Sequence, residues 1–508
     1  MKNIYSNLLP SLLVFLVALP LCLGIALGSG APPFAGLLAG MAGGIVVGLI
    51  SGSHLSVSGP AAGLTILVST SITQLGSFET FLFAVVIAGF FQILFGLLRV
   101  GKLGEFIPNT VIRGMMAAIG LILILKQIPH LVGYDHDFEG DEDFSQIDGE
   151  NTFTEILIAF LKISPGAAFI GTISILLLLV LESKRMRTHL FFKWFPGTLV
   201  VVMVGILYTF LFEKGSSWAI AQEHLVAVPH VSQLSDWATE FHFPNWGAWS
   251  NLHVWTMGLT IALVASLESL LGIEAVDKLD PQKRNTNSNL ELIAQGTGNM
   301  VSGLIGGIPV TSVVVRSTAN ISAGASHKTS TILHGFWLVI SVMFFPFVLN
   351  HIPLASLAAI LIFVGYKLVK PAIFIEIWRQ GKIQFIPFIV TLIAILGLDL
   401  LKGIGIGLLV GLFFVIKRNF KKGIALHEHE GNFLIRFQQE VTFLNRPLLK
   451  ETLSKIPNHA HLLMDLSRTE RMDEDIREMI LDFKIQAKHK HIEIEFKHNT
   501  RNNHFQIN

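Results

Sequence analysis

The sequence predicts an α-helical protein that crosses a membrane many times and carries a small α/β domain at its C-terminal end. Its 508 residues are 51% hydrophobic and only 14% charged, with a mean hydropathy of +0.60. A soluble domain usually carries about a quarter charged residues, so this composition excludes a soluble core. Apolar runs of membrane-spanning length recur up to about residue 418, where the composition changes to that of a soluble domain.

About fourteen apolar segments, each close to the length of a transmembrane helix or half-helix, are predicted to span the membrane. They fall into two halves, at about 9–213 and about 252–418. The first half contains segments 9–29, 32–52, 54–76, 79–99, 107–132, 164–183 and 194–213. The second half contains segments 252–273, 287–305, 308–327, 330–350, 353–369, 384–400 and 402–418.

The distribution of lysine and arginine supports this count, because these residues gather in cytoplasmic connections. With the N-terminus inside, they collect in alternate connections at 99–102, 184–187, 278–284, 328, 367–382 and 417–422. The opposite connections contain the acidic insert Asp135–Glu150 and few cations, chiefly Lys126, Lys214 and Lys402. The pattern predicts a multi-pass protein of the cell's inner (cytoplasmic) membrane, with both termini in the cytoplasm.

A stretch rich in glycine and proline interrupts the third segment of each half. The two stretches are His54–Gly63 (HLSVSGPAAG) and Gly306–Ser317 (GGIPVTSVVVRS). Irregular backbone at membrane depth is tolerated only where it is buried in protein or lines a wet cavity. Matching breaks in two halves are typical of the binding site of a secondary transporter. An odd number of segments per half places the second half upside down relative to the first, as an inverted repeat.

The breaks predict half-helices in segments three and ten. In the first, an extended piece ends at Ser58-Gly59 and Pro60 is expected in the first helical turn. In the second, Thr311 and Ser312 are extended and a half-helix begins within 314–317. Both helix N-termini are expected near the bilayer midplane, where each contributes about half an elementary positive charge.

Free N–H groups and partial positive charge at one point predict an anion site made largely of backbone. The expected substrate-binding residues are Ser58, Gly59, Pro60, Ala61, Ala62, Thr311, Ser312, Val313, Val314 and Arg316. The alternative is that Ser58, Thr311 and Ser312 merely cap helices.

Two charged residues in these segments are candidates for function, because charge at membrane depth is costly. Arg316 would add a full positive charge beside the second half-helix, or else pair with a carboxylate or reach the inner surface. Glu268 lies deep in the eighth segment and is the candidate coupling residue. It could carry a proton, ligate a sodium ion, or neutralise Arg316 while the site is empty.

Several functions are not predicted. We find no phosphate-binding loop, nucleophile elbow, zinc signature or cofactor motif, so the chain is not expected to be an enzyme or an ATP-driven pump. The net charge of +1 gives no indication of nucleic-acid binding. The single cysteine, Cys22, excludes an internal disulfide and is expected to pack as a small hydrophobic residue.

The tail, about 421–508, predicts a cytoplasmic α/β domain with the order β-β-α-β-α-β, after a membrane domain at 1–420. Expected strands include 432–441, 461–466 and 492–496, and expected helices are 446–455 and 472–488.

Together these motifs resemble the SulP family of inorganic anion transporters, the sulfate permeases of bacteria and plants and their animal relatives. The resemblance covers essentially the whole chain and is carried by Ala18-Leu19-Pro20, Val57–Ala62, Leu267–Leu271, Glu291–Gly296, Gly306–Pro309, Arg316-Ser317 and Asn320. It implies fourteen spans in two inverted repeats, a core domain and a gate domain, and a substrate site between spans three and ten. It also implies homodimers and a C-terminal STAS domain.

The tail departs from the family pattern. Leu463–Ser467 is similar to the central STAS strand, but the next helix begins with Asp473-Glu474-Asp475-Ile476 where related domains often carry Asp-Ser-Ser-Gly. A serine phosphoswitch is therefore not expected, and the domain is shortened.

The combined expectation is a secondary active transporter of small inorganic anions of the sulfate or bicarbonate class, working by cation-coupled symport and alternating access. Its expected partners are the anion, a coupling sodium ion or proton, membrane lipid and a second copy of the chain. An anion channel or exchanger on the same scaffold is the main alternative. A nucleobase transporter is a further one, although those proteins lack the tail.

Overall fold

A computed structural model describes residues 2–136, 151–181, 197–212, 218–228, 241–398, 400–420, 424–429, 431–438 and 440–497, with Ser183, Met186 and Ser216. The chain divides into two compact units, Met1–Leu408 and Leu409–Asn508.

Helices lie at the positions of the predicted segments. The first half contains α1 (Lys2–Gly28), α2 (Pro33–Ala42), α3 (Gly48–Ile50), β1 (Ser58–Pro60), α4 (Thr65–Leu75), α5 (Phe78–Leu97), α6 (Asn109–Leu131), α7 (Thr152–Leu161), α8 (Pro165–Leu181) and α9 (Gly197–Leu211). A π-helical turn, Gly43–Val47, joins α2 to α3. The second half contains α10 (Leu252–Leu279), α11 (Ser288–Ile305), β2 (Val310–Ser312), α12 (Val314–Ser322), α13 (Thr329–Phe344), α14 (Pro346–Leu349), α15 (Leu354–Leu368), α16 (Pro371–Arg379), α17 (Lys382–Gly397) and α18 (Leu400–Phe420).

The structure supports a polytopic membrane protein. By length and apolar composition, 6 of the described helices can cross a membrane, or 7 if α7 and α8, which are bent by 114°, form one span. Shorter apolar helices, including α9, α13 and α17, lie at further predicted segments. The count of fourteen crossings stays a prediction, since the half-helices and short helices do not reach the length of a full span.

The helices of the first unit pack in two groups. In one, α5 packs against α10 and α11, and α1 packs against α2 and α13. In the other, α6 packs against α15 and α17, and α15 against α8. Cys22 of α1 is buried in an apolar cluster, as predicted.

Glycine allows the backbones of α5 and α11 to approach closely, as small residues do between helices in lipid. A Cβ added at Gly296 would lie 2.6 Å from the carbonyl oxygen of Gly89, and Gly303 faces the backbone of α5 in the same way. Close packing of α11 on α5 thus depends on these two glycines.

The second unit contains a four-stranded sheet with the order β3-β4-β6-β8. β4 pairs antiparallel with β3 and parallel with β6, which is also parallel to β8. The elements are β3 (Ile424–His429), β4 (Asn432–Phe437), β5 (Glu440–Val441), α19 (Arg446–Ser454), β6 (His461–Asp465), β7 (Arg471–Met472), α20 (Glu474–His489) and β8 (Glu493–Lys497). The expected strand at 432–441 is divided into β4 and β5, and β5 pairs with β7 instead.

Replacing Gly296 with alanine tests the α5–α11 contact. Alanine favours a helix over glycine, but here its Cβ would overlap the Gly89 carbonyl group, so we expect a loss of about 1–3 kcal/mol in stability. The matched control is Gly405→Ala on α18, where a Cβ meets nothing within 4 Å. Thermal unfolding in detergent should show a lower Tm for Gly296→Ala only. Equal Tm values for both variants would contradict this account of the packing.

Candidate anion-binding site

The two helix breaks meet inside the first unit as a two-stranded antiparallel sheet. Ser58 of β1 pairs with Ser312 of β2, Gly59 with Thr311 and Pro60 with Val310. Both strands are buried throughout. Pairing the breaks with each other provides hydrogen bonds to backbone groups that water cannot reach, which an apolar surrounding demands. Sequence analysis predicted the two breaks but not their pairing.

The second half-helix begins where it was predicted, since α12 starts at Val314. The first begins later than predicted. Pro60 lies in β1, Ala61 is extended, and a 3-10 turn at Ala62–Leu64 leads into α4. The prediction that Pro60 occupies the first helical turn is therefore wrong. The fixed φ of proline suits both a helix start and extended backbone, and its strand partner decides between them.

Neither half-helix is capped by a side chain. Ala61 precedes the first helical turn and Val313 precedes α12, and neither position has a side-chain capping hydrogen bond. The alternative that Ser58, Thr311 and Ser312 serve as caps is wrong. Ser58 Oγ instead accepts a hydrogen bond from Gln295 at 2.7 Å, and Ser312 Oγ bonds Ser56 Oγ at 2.6 Å. The first N–H groups of each helix thus stay available to a ligand.

A small cavity of about 30 Å³, here the central cavity, lies between the two helix starts. It has room for about one or two water molecules. Glu268 of α10 lines it as well, so the structure brings the candidate coupling residue to the same place as the half-helices. The other residues that line the central cavity are Ala61, Ala62, Met115, Ile119, Leu271, Gly272, Ser312, Val313, Val314, Val315, Leu400, Leu401 and Ile404.

Arg316 is fully buried at the start of α12. Its guanidinium packs on Gly59, where any Cβ would clash with it, and Nη2 donates to the Pro60 carbonyl oxygen at 3.3 Å. Among the residues that the structure describes, Nε and Nη1 have no hydrogen-bond partner. Arg316 does not line the central cavity but a neighbouring one of about 20 Å³, which also contacts Ala62, Val313 and Val315. We call this second space the Lys126 cavity.

Lys126 is placed differently from the prediction. It was assigned to an outer connection, but it lies inside α6, is buried, and faces the Lys126 cavity beside Gln127. Its Nζ is 3.6 Å from Glu155 Oε2 of α7. Because most of this helix is apolar, the sequence did not show that its one lysine lies within the helix and is buried. Lys402 is exposed on α18, whereas Lys214 and residues 137–150 of the acidic insert lie outside the described residues.

Side chains of α11 hold the breaks in place, and sequence analysis assigned them no role in the site. Asn299 clamps Val310: its Oδ1 accepts from the Val310 N–H at 2.7 Å, and its Nδ2 donates to the Val310 carbonyl oxygen at 2.9 Å. Gln295 reaches Ser58 and also donates to Glu291 Oε1 at 2.8 Å. Glu291 is fully buried, so Glu268, which is partly exposed, is not the most deeply buried carboxylate of the second half. The sequence signal that could have identified these side chains is the spacing of polar residues, three or four apart, along α11.

The spaces along α6 are very unequal. Asn109, Arg113 and Met116, near its start, line an open cavity of about 650 Å³, which we call the Asn109 cavity. Met115 and Ile119 line the central cavity, and Ile122 to Gln127 line the Lys126 cavity. We call the two ends of this path the Asn109 face and the Leu131 face. Of these three spaces, the large one lies toward the Asn109 face and the smallest lies toward the Leu131 face.

A histidine–carboxylate cluster lies at the Leu131 face. Asp135 accepts hydrogen bonds from Nδ1 of His130 at 2.5 Å and Nδ1 of His224 at 2.6 Å. Burial alone would raise the pKa of the Asp135 carboxyl, but these hydrogen bonds outweigh it and hold the pKa below its usual value. The hydrogen bond to Asp135 in turn raises the pKa of His224. The cluster ties the end of α6 to the segment 218–228.

Apolar helices that break beside a buried cavity are typical of multi-pass membrane transport proteins. Its family is shown by residues 4–391, which match the model of the sulfate permease family. The chain belongs to that family.

Two relatives illustrate its range. The chain is 28% identical over 379 residues to the putative sulfate transporter YvdB of Bacillus subtilis (strain 168), covering 75% of this chain and 67% of that protein. It is 26% identical over 339 residues to the bicarbonate transporter BicA of Picosynechococcus sp., covering 66% of this chain and 55% of BicA. The chain thus aligns with about half to two thirds of these relatives' own lengths.

Solved structures share the fold. SLC26A9 superposes with a TM-score of 0.68 at 16% identity, covering 97% of this chain and 84% of that one. The transmembrane domain of a cyanobacterial bicarbonate transporter, BicA, gives a TM-score of 0.54 at 21% identity, covering 81% and 98% of the two chains.

Removing the Asn299 amide tests whether it holds the sheet of the two breaks. Asn299→Leu keeps the volume but leaves the Val310 N–H and carbonyl groups buried without partners, at about 1–3 kcal/mol each. We expect a clear fall in Tm. Thr297→Val is the control, since among the described residues Thr297 Oγ1 bonds within its own helix, to the Ile293 carbonyl oxygen. A Tm for Asn299→Leu equal to that of the control would show that Val310 finds other partners.

Proposed function

We propose that this protein is a secondary active transporter of small inorganic anions that binds its substrate between the starts of α4 and α12. The observation that carries the proposal is the pair of uncapped helix starts, at Ala61 and Val313, which face one buried cavity. Helix N-termini of this kind bind anions through backbone N–H groups and the helix dipole. Of the residues predicted from the sequence, those that line this cavity are Ala61, Ala62, Ser312, Val313 and Val314, and Arg316 lines the neighbouring one.

Charge strengthens the case for an anion. Two helix starts contribute about half an elementary positive charge each, and Arg316 adds a full charge next to the second. A buried guanidinium with unpartnered Nε and Nη1 is costly unless a ligand supplies acceptors. A neutral nucleobase would not supply the negative charge that this arrangement favours, which makes a nucleobase transporter the weaker alternative.

The unequal cavities support alternating access. Lysine and arginine distribution predicts that the Asn109 face is cytoplasmic, so the arrangement corresponds to an inward-open state. We infer that the group containing α5, α10 and α11 is the core domain and that the group containing α6, α15 and α17 is the gate domain. Opening toward the other side would then require the α6 group to move relative to the paired breaks.

The remaining architecture follows the family expectation. We propose fourteen spans in two inverted repeats within a membrane domain at 1–420, followed by a shortened STAS-like domain at 421–508. The four-stranded sheet with α19 and α20 supports that last assignment. Assembly as a homodimer in the inner membrane, with cytoplasmic termini, belongs to the same proposal.

We propose sulfate or bicarbonate as the anion, because the relatives YvdB and BicA are a putative sulfate transporter and a bicarbonate transporter. We assign coupling to sodium or protons to Glu268. Among the described residues that line the central cavity, it is the one with a carboxylate. An exchanger or channel on this scaffold is the competing function. Uptake of radiolabelled sulfate and bicarbonate into proteoliposomes under imposed sodium and pH gradients separates these functions.

Arg316→Ala tests the anion site. Losing a charged donor beside the two helix starts should weaken anion affinity about tenfold or more, as measured by calorimetry and flux. Arg379→Ala, an exposed arginine at the end of α16, is the control for a change of net charge. If affinity and selectivity stayed at wild-type values in folded Arg316→Ala, the guanidinium would lie outside the site.

Glu268→Gln tests coupling. Moving an anion inward against the membrane potential costs about 2.3 kcal/mol per charge per 100 mV, and a cation bound beside it offsets that cost. The variant keeps the shape of the side chain, so it should exchange anions while no longer responding to a sodium or pH gradient. Glu274→Gln on the same helix, in the Asn109 cavity, is the control. Gradient-driven accumulation that persists in Glu268→Gln would remove the coupling role.

A further inference from the structure

Lys126 is a buried ammonium group in a helix that is otherwise largely apolar. Its side chain and that of Glu155 are only 6% and 2% exposed, and Nζ and Oε2 are 3.6 Å apart, longer than a direct hydrogen bond. Burying an ion pair usually gains little stability over apolar packing, because both charges lose their hydration. Its location therefore calls for another explanation.

Lys126 faces the anion site and not only α7. It lines the Lys126 cavity together with Arg316, Val313 and Val315, the residues at the start of α12. Ile119, on the same helix, lines the central cavity. At 1.5 Å per residue, Lys126 lies roughly 10 Å further along α6 toward the Leu131 face. Two cations, Arg316 and Lys126, thus border one small space on the closed side of the site.

Two of the residues that line this space carry buried polar atoms without a hydrogen-bond partner in the described part of the chain. Nε and Nη1 of Arg316 and Oε1 of Gln127 are buried without a hydrogen-bond partner among the described residues. Gln127 is 3% exposed and lines the same cavity. The two ends of a glutamine amide exchange by a simple flip, so Gln127 can present N–H donors to the cavity instead. The residues around the space thus carry ammonium, guanidinium and amide donors for an anion, and its volume is about 20 Å³.

We propose that Lys126, Gln127 and the unpartnered edge of Arg316 form a second binding position for a small inorganic anion, between the central cavity and the Leu131 face. The inference rests on the anion transport proposed above. Glu155 partners Lys126 while this side is closed. When the side opens, the anion replaces Glu155 next to Lys126 and is handed to or from Arg316.

The competing explanation is that Lys126 and Glu155 are only a structural link between α6 and α7. The two explanations predict different behaviour for a protein from which both charges have been removed. If the pair is only structural, the double variant Lys126→Gln with Glu155→Gln leaves no unpaired buried charge. It should then behave like the wild-type protein. A binding position still lacks its cation in the double variant, so anion affinity should stay weak.

The test uses full-length protein in proteoliposomes of one orientation, with half-saturating concentrations of radiolabelled sulfate, bicarbonate and chloride measured separately at each face. For Lys126→Gln and for the double variant we expect about a tenfold increase at the Leu131 face and little change at the Asn109 face. Glu155→Gln alone should lower the value at the Leu131 face, because Lys126 loses its competing partner. Lys162→Gln, an exposed lysine after α7, is the control for surface charge.

Each outcome decides the proposal. Restoration by the double variant, an equal effect at both faces, or an equal effect of Lys162→Gln would overturn it. If Lys126→Gln failed to fold, the result for Glu155→Gln would decide. A half-saturating concentration of Glu155→Gln at the Leu131 face equal to that of the wild type would overturn the second binding position. Wild-type protein that transports and binds none of the three anions would refute the proposed function and this inference together, whereas normal wild-type flux with unchanged variants refutes only the inference.

Discussion

The antiparallel pairing of β1 with β2 is the interaction on which the rest of the site depends. Two chain segments leave helical structure inside an apolar unit, and their amides must find partners without help from water. They find each other, in a register that places Gly59 opposite Thr311. Gly59 in turn leaves the space that the Arg316 guanidinium fills. Once the strands are paired, the helices that come after them must begin beside the same cavity.

The halves of the chain exchange support around this sheet. Ser317 Oγ of α12 accepts from the Val57 N–H at 2.9 Å, and Asn320 donates to the Leu55 carbonyl oxygen at 3.0 Å, so the second half holds the first break. Asn299 holds the second break from α11. Both strands are therefore tied to α11 and α12 as well as to each other. α6 passes alongside them, from the Asn109 cavity past the central cavity to the Lys126 cavity.

Several charged side chains are buried in the first unit, and two of them, Arg316 and Lys126, lie on the proposed anion path. Arg316, Lys126, Glu155 and Glu291 are each at most 5% exposed. Such groups cost free energy unless they are paired or hydrogen-bonded, so a chain keeps them where they perform a task. Glu291 is satisfied by Ser51 and Gln295 and serves the scaffold. Among the described residues, Nε and Nη1 of Arg316 have no hydrogen-bond partner.

Local composition was sufficient to predict much of this protein. Hydrophobic length located the helices, and glycine with proline located both breaks, because these properties act within one segment of chain. Arg316 and Glu268 stood out for the same reason, as charges in apolar segments. The start of α12 was placed correctly, and the elements of the second unit lie close to their predicted positions.

Contacts between distant residues decided the rest. Ser56 and Ser312 bond across 256 positions, and no local pattern specifies that the breaks pair or in which register. Pro60 entered a strand and not a helix because Val310 lies opposite it. The half-helices lack side-chain caps because the candidate cap residues bond to other parts of the chain. Ser58, for example, bonds Gln295. Lys126 was misplaced because counting charges assumes that a lysine reaches water, whereas the fold places a buried carboxylate, Glu155, next to it.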